Sequence, residues 1–147
     1  MIGLNGELAA REAAGERVRI GLVGAGQMGT DVVAETQMMK GIEVVATADI
    51  TVERARDAYT VALVEAEPVE ARTSREADEA VAAGRRVYTK DYRVVTDMTE
   101  IDVLLEATGV PEVGAQAALR AVRHGHHLAM MNVETDITVG PLLRWYA

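Results

Sequence analysis

The chain has 147 residues, a formal net charge of −8 and no cysteine. This length suits one domain with a substantial core, and 49% hydrophobic residues are typical of a soluble globular chain. The absence of cysteine excludes disulfides, zinc–thiolate sites and a thiol nucleophile. The acidic balance without a basic cluster argues against nucleic acid as a partner. No apolar run reaches the ~18 residues of a membrane span, the N-terminus does not resemble a signal peptide, and the expected location is cytoplasmic.

An N-terminal helical arm is predicted for residues 1–16. Leu4 and Leu8 form one apolar stripe at helical spacing, and Gly15 suits the end of a helix. We expect this arm to have a structural role, packing either on the sheet edge of the domain that follows, residues 17–147, or on a part of the protein outside these residues.

The rest of the chain is organised around a strand, a glycine-rich turn, a helix, a second strand and an acid. In order, these are residues 18–23, residues 24–29, Thr30 to Met39, residues 42–48, and Asp49, twenty residues after the last glycine. The turn is an unbroken G-x-G-x-x-G. That motif alone is weak evidence, but the strand before it, the helix after it and the acid at the next strand end complete the dinucleotide-binding fingerprint.

Each glycine of the turn has a predicted role. Gly24 permits a tight turn between strand and helix, Gly26 lets a cofactor pyrophosphate approach the backbone, and Gly29 allows the helix to pack close to the strand. The free N–H groups at the helix N-terminus, from Gln27 and Met28 onward, are expected to face the phosphates.

Asp49 is placed to accept hydrogen bonds from the adenosine ribose hydroxyls, which favours NAD over NADP. Two alternatives remain open for this edge of the site. Asp49 can instead cap the next helix, and Arg54 or Arg56 can meet the 2′-phosphate of NADP.

Residues 51–100 are longer than a minimal crossover and are read as a helical insert. In chain order, we predict a helix at 52–59 capped by Thr51, a loop or irregular insert at 63–73, a helix from Ser74 closed by Gly84, a strand at 86–89, and a connecting segment at 91–97.

A third strong strand is predicted at residues 101–106, and Thr108 and Gly109 follow its carboxyl end. Ligands bind at such ends in open parallel sheets. The remaining elements are Pro111 in the first turn of a helix at 112–124, a strand at 126–132 that delivers Asn132, Val133 and Glu134, and a helix starting at 142–147. We expect the domain to be truncated there, inside a helix.

The pattern β-α-β, helical insert, β, β-α-β predicts an α/β fold, a Rossmann-type doubly wound parallel sheet in a single domain. Glu106 is ambiguous at this stage, either a groove residue or a satisfied helix cap. Neither lysine, Lys40 or Lys90, is expected at a strand end of the groove, so no catalytic proton donor is identified. The histidines around His124 are read as structural, and no metal site is predicted.

Four segments resemble one known family: REAAG at 11–15, GLVGAGQMGTDVV at 21–33, EATGVPEVGA at 106–115 and MMNVETDITVGPLL at 130–143. Together they look like the N-terminal domain of homoserine-dehydrogenase-like proteins with a C-terminal SAF domain, a family that includes deoxyxylulose-phosphate-reductoisomerase-like proteins. The resemblance covers nearly the whole chain, and the last segment is its most distinctive part.

The resemblance implies an NAD(P)-dependent oxidoreductase with a separate catalytic and dimerisation domain, and hence a homo-oligomer with a small-molecule substrate. It implies that Gly24, Gly26, Gln27, Met28 and Gly29 hold the pyrophosphate. By the same resemblance Thr108 and Gly109 flank the nicotinamide ribose, and Asn132 and Glu134 face the nicotinamide. Val133 departs from the family pattern, because true homoserine dehydrogenases have a lysine at this position, and this puts homoserine itself in doubt as the substrate.

Two functional hypotheses follow. In the first, the chain is the cofactor-binding part of an NAD(P)-dependent oxidoreductase whose catalytic domain lies elsewhere. In the second, it is a non-catalytic module that binds or senses a dinucleotide.

Overall fold

A computed structural model describes residues 3–147. Within them, six strands form one sheet: β1 Val18–Val23, β2 Ile42–Ala48, β3 Val69–Glu70, β4 Val87–Thr89, β5 Val103–Glu106 and β6 His127–Met130. The strands lie in the order β3-β4-β2-β1-β5-β6, and every pairing is parallel. β1 and β2 are buried over most of their length, as expected for near-continuous apolar strands covered on both faces.

The described residues also form helices α1 Leu4–Ala14, α2 Gln27–Met38, α3 Val52–Val61, α4 Ser74–Ala82, α5 Tyr92–Thr96, α6 Pro111–Arg123 and α7 Val133–Tyr146. Side chains of α2 and α3 contribute to one apolar cluster with the sheet, and side chains of α4, α5 and α6 contribute to another. Helices therefore cover both faces. This confirms the predicted α/β fold with a Rossmann-type doubly wound parallel sheet.

The strand order reverses at β1. The chain first builds outward on one side of β1 through β2, β4 and β3, and then crosses to the other side for β5 and β6. β1 pairs with both β2 and β5, so the carboxyl ends of these three strands are adjacent. This reversal creates a crevice at that edge of the sheet, where ligands bind in open α/β sheets.

The N-terminal helix α1 packs against the start of β2. Leu8 is buried, and the side chain of Glu12 accepts a hydrogen bond of 2.8 Å from the backbone N–H of Gly41. A Cβ on Gly41 would lie 2.0 Å from the carbonyl oxygen of Leu8, so the two segments are in backbone contact. α1 is therefore fixed to the amino end of the sheet, away from the crevice. Residues 1 and 2 of the predicted arm lie outside the described residues.

Three predicted stretches differ in the structure. The helix after the glycine-rich turn begins at Gln27, within the motif, instead of at Thr30. The segment 63–73 contains β3, where the N–H of Val69 donates to the carbonyl of Arg86 and the N–H of Ala71 donates to the carbonyl of Tyr88 in β4. The segment 91–97 contains α5, because the side chain of Asp91 caps it by accepting from the Arg93 N–H at 3.0 Å. A two-residue strand and a five-residue helix are too short to show periodicity.

The C-terminal region is also more regular than predicted. A helix start was expected at residue 142, with 135–141 leading into it, but α7 runs from Val133 through Pro141 to Tyr146. Pro141 lacks the N–H that would bond to the carbonyl of Ile137, which is why the sequence indicated a break. Asn132 caps the helix instead, its side-chain oxygen accepting from the Thr135 N–H.

Candidate functional site

The glycine-rich turn connects β1 to α2 at the centre of the crevice. Gly24 has φ +100°, and a Cβ there would lie 2.6 Å from the backbone of Ala107 and Thr108. A Cβ on Gly29 would lie 2.0 Å from the carbonyl oxygen of Gly24, whereas one on Gly26 would meet no protein atom within 4 Å. Gly24 and Gly29 thus allow two backbone segments to approach each other closely, whereas Gly26 faces open space.

The N-terminus of α2 is not capped by any side chain. Gly26 occupies the N-cap position, and the first turn contains no acidic residue. Gln27 and Met28, in this turn, are exposed. The first N–H groups of a helix have no intrahelical acceptor and carry the positive end of the helix dipole. This arrangement suits a phosphate group.

Asp49 directly follows β2, and its carboxylate accepts hydrogen bonds from the backbone of two different segments. Its Oδ2 accepts from the N–H of Ala25 in the glycine-rich turn at 2.9 Å, and its Oδ1 accepts from the N–H of Thr51 at 2.9 Å. Asp49 therefore joins the turn to the entry of α3. Each carboxylate oxygen has two lone pairs, so acceptor capacity for ribose hydroxyls remains.

A groove of about 920 Å³ lies at this edge of the sheet. Its lining comes from the carboxyl ends of four strands and the residues after them: Val23, Gly24, Gly26, Ala48, Asp49, Ile50, Arg54, Lys90, Asp91, Tyr92, Arg93, Ala107, Thr108, Val110 and Val113. Four predicted site residues are thus brought together: Gly24, Gly26, Asp49 and Thr108.

Three other predicted residues lie beside this lining. Gly29 is packed beneath Gly24, and Met28 is on the exposed first turn of α2. Gly109 follows Thr108 with φ +66° and allows the turn into α6. These positions support the groove or border it.

Asn132 and Glu134 are placed differently from each other. Asn132 has only 2% relative exposure, and its side chain caps α7. Glu134 is exposed in the first turn of α7. Neither residue lines the groove, and a role for them toward the nicotinamide stays a prediction.

The role of Glu106 was ambiguous in the sequence. The structure buries it completely at the end of β5. Its Oε1 accepts from the backbone N–H of Thr108 at 2.8 Å and from the Thr108 hydroxyl. Glu106 is therefore a support behind the groove wall and not part of the lining.

The expectation that neither lysine lies at a strand end of the groove was wrong for Lys90. Lys90 directly follows β4 and lines the groove with Arg54. The sequence does not reveal that β4 lies next to β2, and the position of Lys90 depends on that order. Arg93, in the same lining, hydrogen-bonds Asp91 and lowers the pKa of that carboxyl.

Charge is unevenly distributed along the groove. Arg54 and Lys90 lie on the side of β2 and β4, whereas the lining from β5 and α6 comprises Ala107, Thr108, Val110 and Val113. The lining from β5 and α6 thus contains no acid, histidine or lysine, but the hydroxyl of Tyr92, another lining residue, donates to Gln116 of α6 at 2.8 Å. Within residues 3–147, no group of three or more potential metal ligands occurs, and none of the helices there is long and apolar enough to cross a membrane.

The fold and groove define a Rossmann-type doubly wound α/β architecture. Similar solved structures include a homoserine dehydrogenase from Thiobacillus denitrificans, with a TM-score of 0.61 and 22% identity over 89% of this chain and 27% of that one. A 3-ketoreductase from Actinomadura kijaniata, in complex with TDP-benzene and NADP, has a TM-score of 0.60 and 19% identity over 89% of this chain and 35% of that one.

A scyllo-inositol dehydrogenase from Lactobacillus casei, with bound NAD(H) and scyllo-inositol, has a TM-score of 0.58 and 13% identity over 88% of this chain and 34% of that one. The chain spans about a third or less of the length of these structures. At these identities the likeness establishes the fold. No protein-family model matches the sequence, and no curated protein does.

Proposed function

We propose that this chain is the dinucleotide-binding domain of an NAD(P)-dependent oxidoreductase of the homoserine-dehydrogenase-like type. The whole protein would transfer a hydride to or from a small oxygenated substrate. The observation that carries this proposal is the groove at the strand-order reversal, where the uncapped N-terminus of α2 and the open space at Gly26 lie together.

The groove dimensions and chemistry suggest how the cofactor lies. The pyrophosphate sits over Gly26 and the first turn of α2, where backbone N–H groups are free. The adenosine ribose reaches Asp49, with Arg54 and Lys90 nearby on the β4 side. The nicotinamide half extends toward Thr108, in the uncharged half of the groove.

The cofactor supplies the hydride, and these residues bind and orient it. Reduction or oxidation of an oxygenated carbon also needs a proton to move near the reacting oxygen. Among the described residues that line the groove, Lys90 and Asp91 follow β4, and the hydroxyl of Tyr92 donates to Gln116 of α6 at 2.8 Å. The proposal assigns the substrate contacts to residues outside these 147.

Calorimetric titration with NADH and, separately, NADPH tests the proposal. Gly26→Val should abolish binding without unfolding the protein, because its side chain would fill the phosphate space and its Cβ would meet no protein atom within 4 Å. Gly6→Val is the matched control: Gly6 lies in α1, away from the groove, and also has no neighbour within 4 Å of a Cβ. Absence of binding by the wild type, or unchanged binding in Gly26→Val, would overturn the proposal.

A second candidate is a non-catalytic module that senses a dinucleotide. The absence of acid, histidine and lysine from the β5 and α6 lining favours it. An isotope-transfer assay distinguishes the two candidates. The full-length protein is incubated with 4-deuterated NADH and a carbonyl compound, and deuterium is sought in the product. Transfer to product is expected of the oxidoreductase and not of a sensor.

A further inference from the structure

A buried polar cluster lies behind the groove wall. It is formed by Glu106 at the end of β5 and Asn132 at the start of α7, with relative exposures of 0% and 2%. Oε1 of Glu106 accepts from both the backbone and the hydroxyl of Thr108, which lines the groove. The carboxylate therefore fixes the groove wall from behind.

Two polar atoms of this cluster are buried without a hydrogen-bond partner: Oε2 of Glu106 and Nδ2 of Asn132. Both adjoin Gly114 of α6, where a Cβ would lie 2.9 Å from Oε2 and 3.0 Å from Nδ2. One atom is an acceptor and the other a donor, and they border the same small space. Burying an unpaired polar group costs free energy of folding. An unpaired acceptor and an unpaired donor beside the same space therefore suggest a common role for the two side chains.

The start of α7 is itself fixed to α6. Oδ1 of Asn132 accepts from the N–H of Thr135 at 3.2 Å, and the hydroxyl of Thr135 donates to the carbonyl oxygen of Pro111 at 3.2 Å. Thr135 is also buried. The N-termini of α6 and α7 thus converge beside Glu106.

We propose that Glu106 and Asn132 are coupled positioning residues that transmit the placement of the α7 N-terminus to Thr108 in the cofactor groove. The inference rests on the proposed function, because the groove wall matters for a bound dinucleotide. Both side chains act through Thr108, and Gly114 is required because any side chain would fill the space between them.

Exchanging the acceptor and the donor between the two positions tests the coupling. Glu106→Gln would keep an acceptor for Thr108 but turn an NH2 group toward the NH2 of Asn132. Asn132→Asp would keep the helix cap, since aspartate caps as well as asparagine, but would oppose two carboxylate oxygens. The double variant Glu106→Gln/Asn132→Asp restores one donor facing one acceptor and the original net charge.

Two measurements on each folded variant test the coupling: the Kd for NADH or NADPH, whichever the wild type binds, and amide hydrogen exchange at Thr108 without cofactor. Each single variant should bind about tenfold more weakly, the scale of one mispaired buried polar group. Each should also lose protection at Thr108. The double variant should recover both. Glu112→Gln, an exposed acid on α6, and Asn5→Asp, exposed on α1, are the matched controls and should behave as wild type.

The outcomes separate this inference from the proposed function. If the wild type binds no dinucleotide, the proposed function is wrong, and exchange at Thr108 still tests the coupling. If Asn132→Asp leaves Thr108 protection unchanged, or the double variant is no better than the single variants, the coupling is wrong. A loss of thermal stability alone, with Kd and Thr108 exchange unchanged, would show a purely structural role and would also overturn the inference.

Discussion

Oδ2 of Asp49 accepts a hydrogen bond of 2.9 Å from the backbone N–H of Ala25, joining the end of β2 to the glycine-rich turn. The acid that was predicted to meet the cofactor ribose therefore also holds the turn that was predicted to meet the phosphates. One side chain links the two parts of the groove, and its loss should affect both the fold and the affinity.

Asp49→Ala removes two backbone-bound acceptors and leaves the N–H groups of Ala25 and Thr51 without their partner. We expect the free energy of unfolding to fall by about 1–3 kcal/mol and NADH binding to weaken. Urea denaturation and calorimetric titration measure the two effects. Asp31→Ala, at an exposed position of α2, is the control, and equal effects of the two variants would contradict the assignment.

Arg54 is the residue expected to decide how well NADP binds. It lines the groove, whereas Arg56 does not and pairs with Asp57 at 2.8 Å. Arg54→Ala should weaken NADPH binding by about tenfold, the scale of a hydrogen bond to a charged group, with little effect on NADH. Arg56→Ala should change neither Kd. A greater loss in Arg56→Ala would move the 2′-phosphate contact away from Arg54.

Gly29 is expected to tolerate no side chain. Gly29→Ala would place a Cβ 2.0 Å from the carbonyl oxygen of Gly24, and backbone cannot rotate away as a flexible side chain can. We expect a loss of about 1–3 kcal/mol in unfolding free energy from overpacking, although alanine favours the helix. Gly26→Ala, which meets no atom, should cost little. Urea denaturation of both variants distinguishes packing from a general effect of substituting glycine.

His126 gives the fold a dependence on pH. Burial is the main cause that lowers its pKa below the ordinary value of about 6.5. The unfolded chain then binds the proton more tightly than the folded one, so stability is fully present above about pH 6.5 and decreases as the pH falls through the lower folded pKa. His126→Gln should flatten this part of the curve of unfolding free energy against pH. An unchanged slope would exclude His126 as its source.

Self-association of the chain stays a prediction, and α7 is where it is expected. Ile137, Trp145 and Tyr146 have relative exposures of 75%, 78% and 53%, and exposed apolar groups of this kind promote contacts between molecules. Trp145→Glu should reduce concentration-dependent association in sedimentation velocity. Leu4→Glu, at a residue 68% exposed on α1, is the control; association that persists in Trp145→Glu would place the contact elsewhere.

The parts of the fold that the sequence predicted well are those with a local physical cause. Apolar runs predict β1 and β2. Glycines, which close backbone contacts require, predict the turn between β1 and α2. By contrast, β3 exists only because it pairs with β4, and Lys90 reaches the groove only because β4 lies beside β2. Neither the pairing of β3 nor the position of Lys90 can be predicted from the residues next to it in the sequence.

The same distinction applies to the site. Gly24, Gly26, Asp49 and Thr108 follow strand ends, so their convergence was predictable from the strand order of a doubly wound sheet. The burial of Asn132 was not, because Asn132 caps a helix that was expected to begin only at residue 142. A proline inside an apolar stretch predicts a break, and the cap and packing of α7 outweigh that preference.

The contact between Gly24 and the backbone at Ala107 and Thr108 has a wider consequence. The two walls of the groove meet here through main-chain atoms, so the closest distance between them is set at a single backbone position. Any residue other than glycine at position 24 would have to push β1 away from the segment after β5, whatever side chains line the rest of the groove.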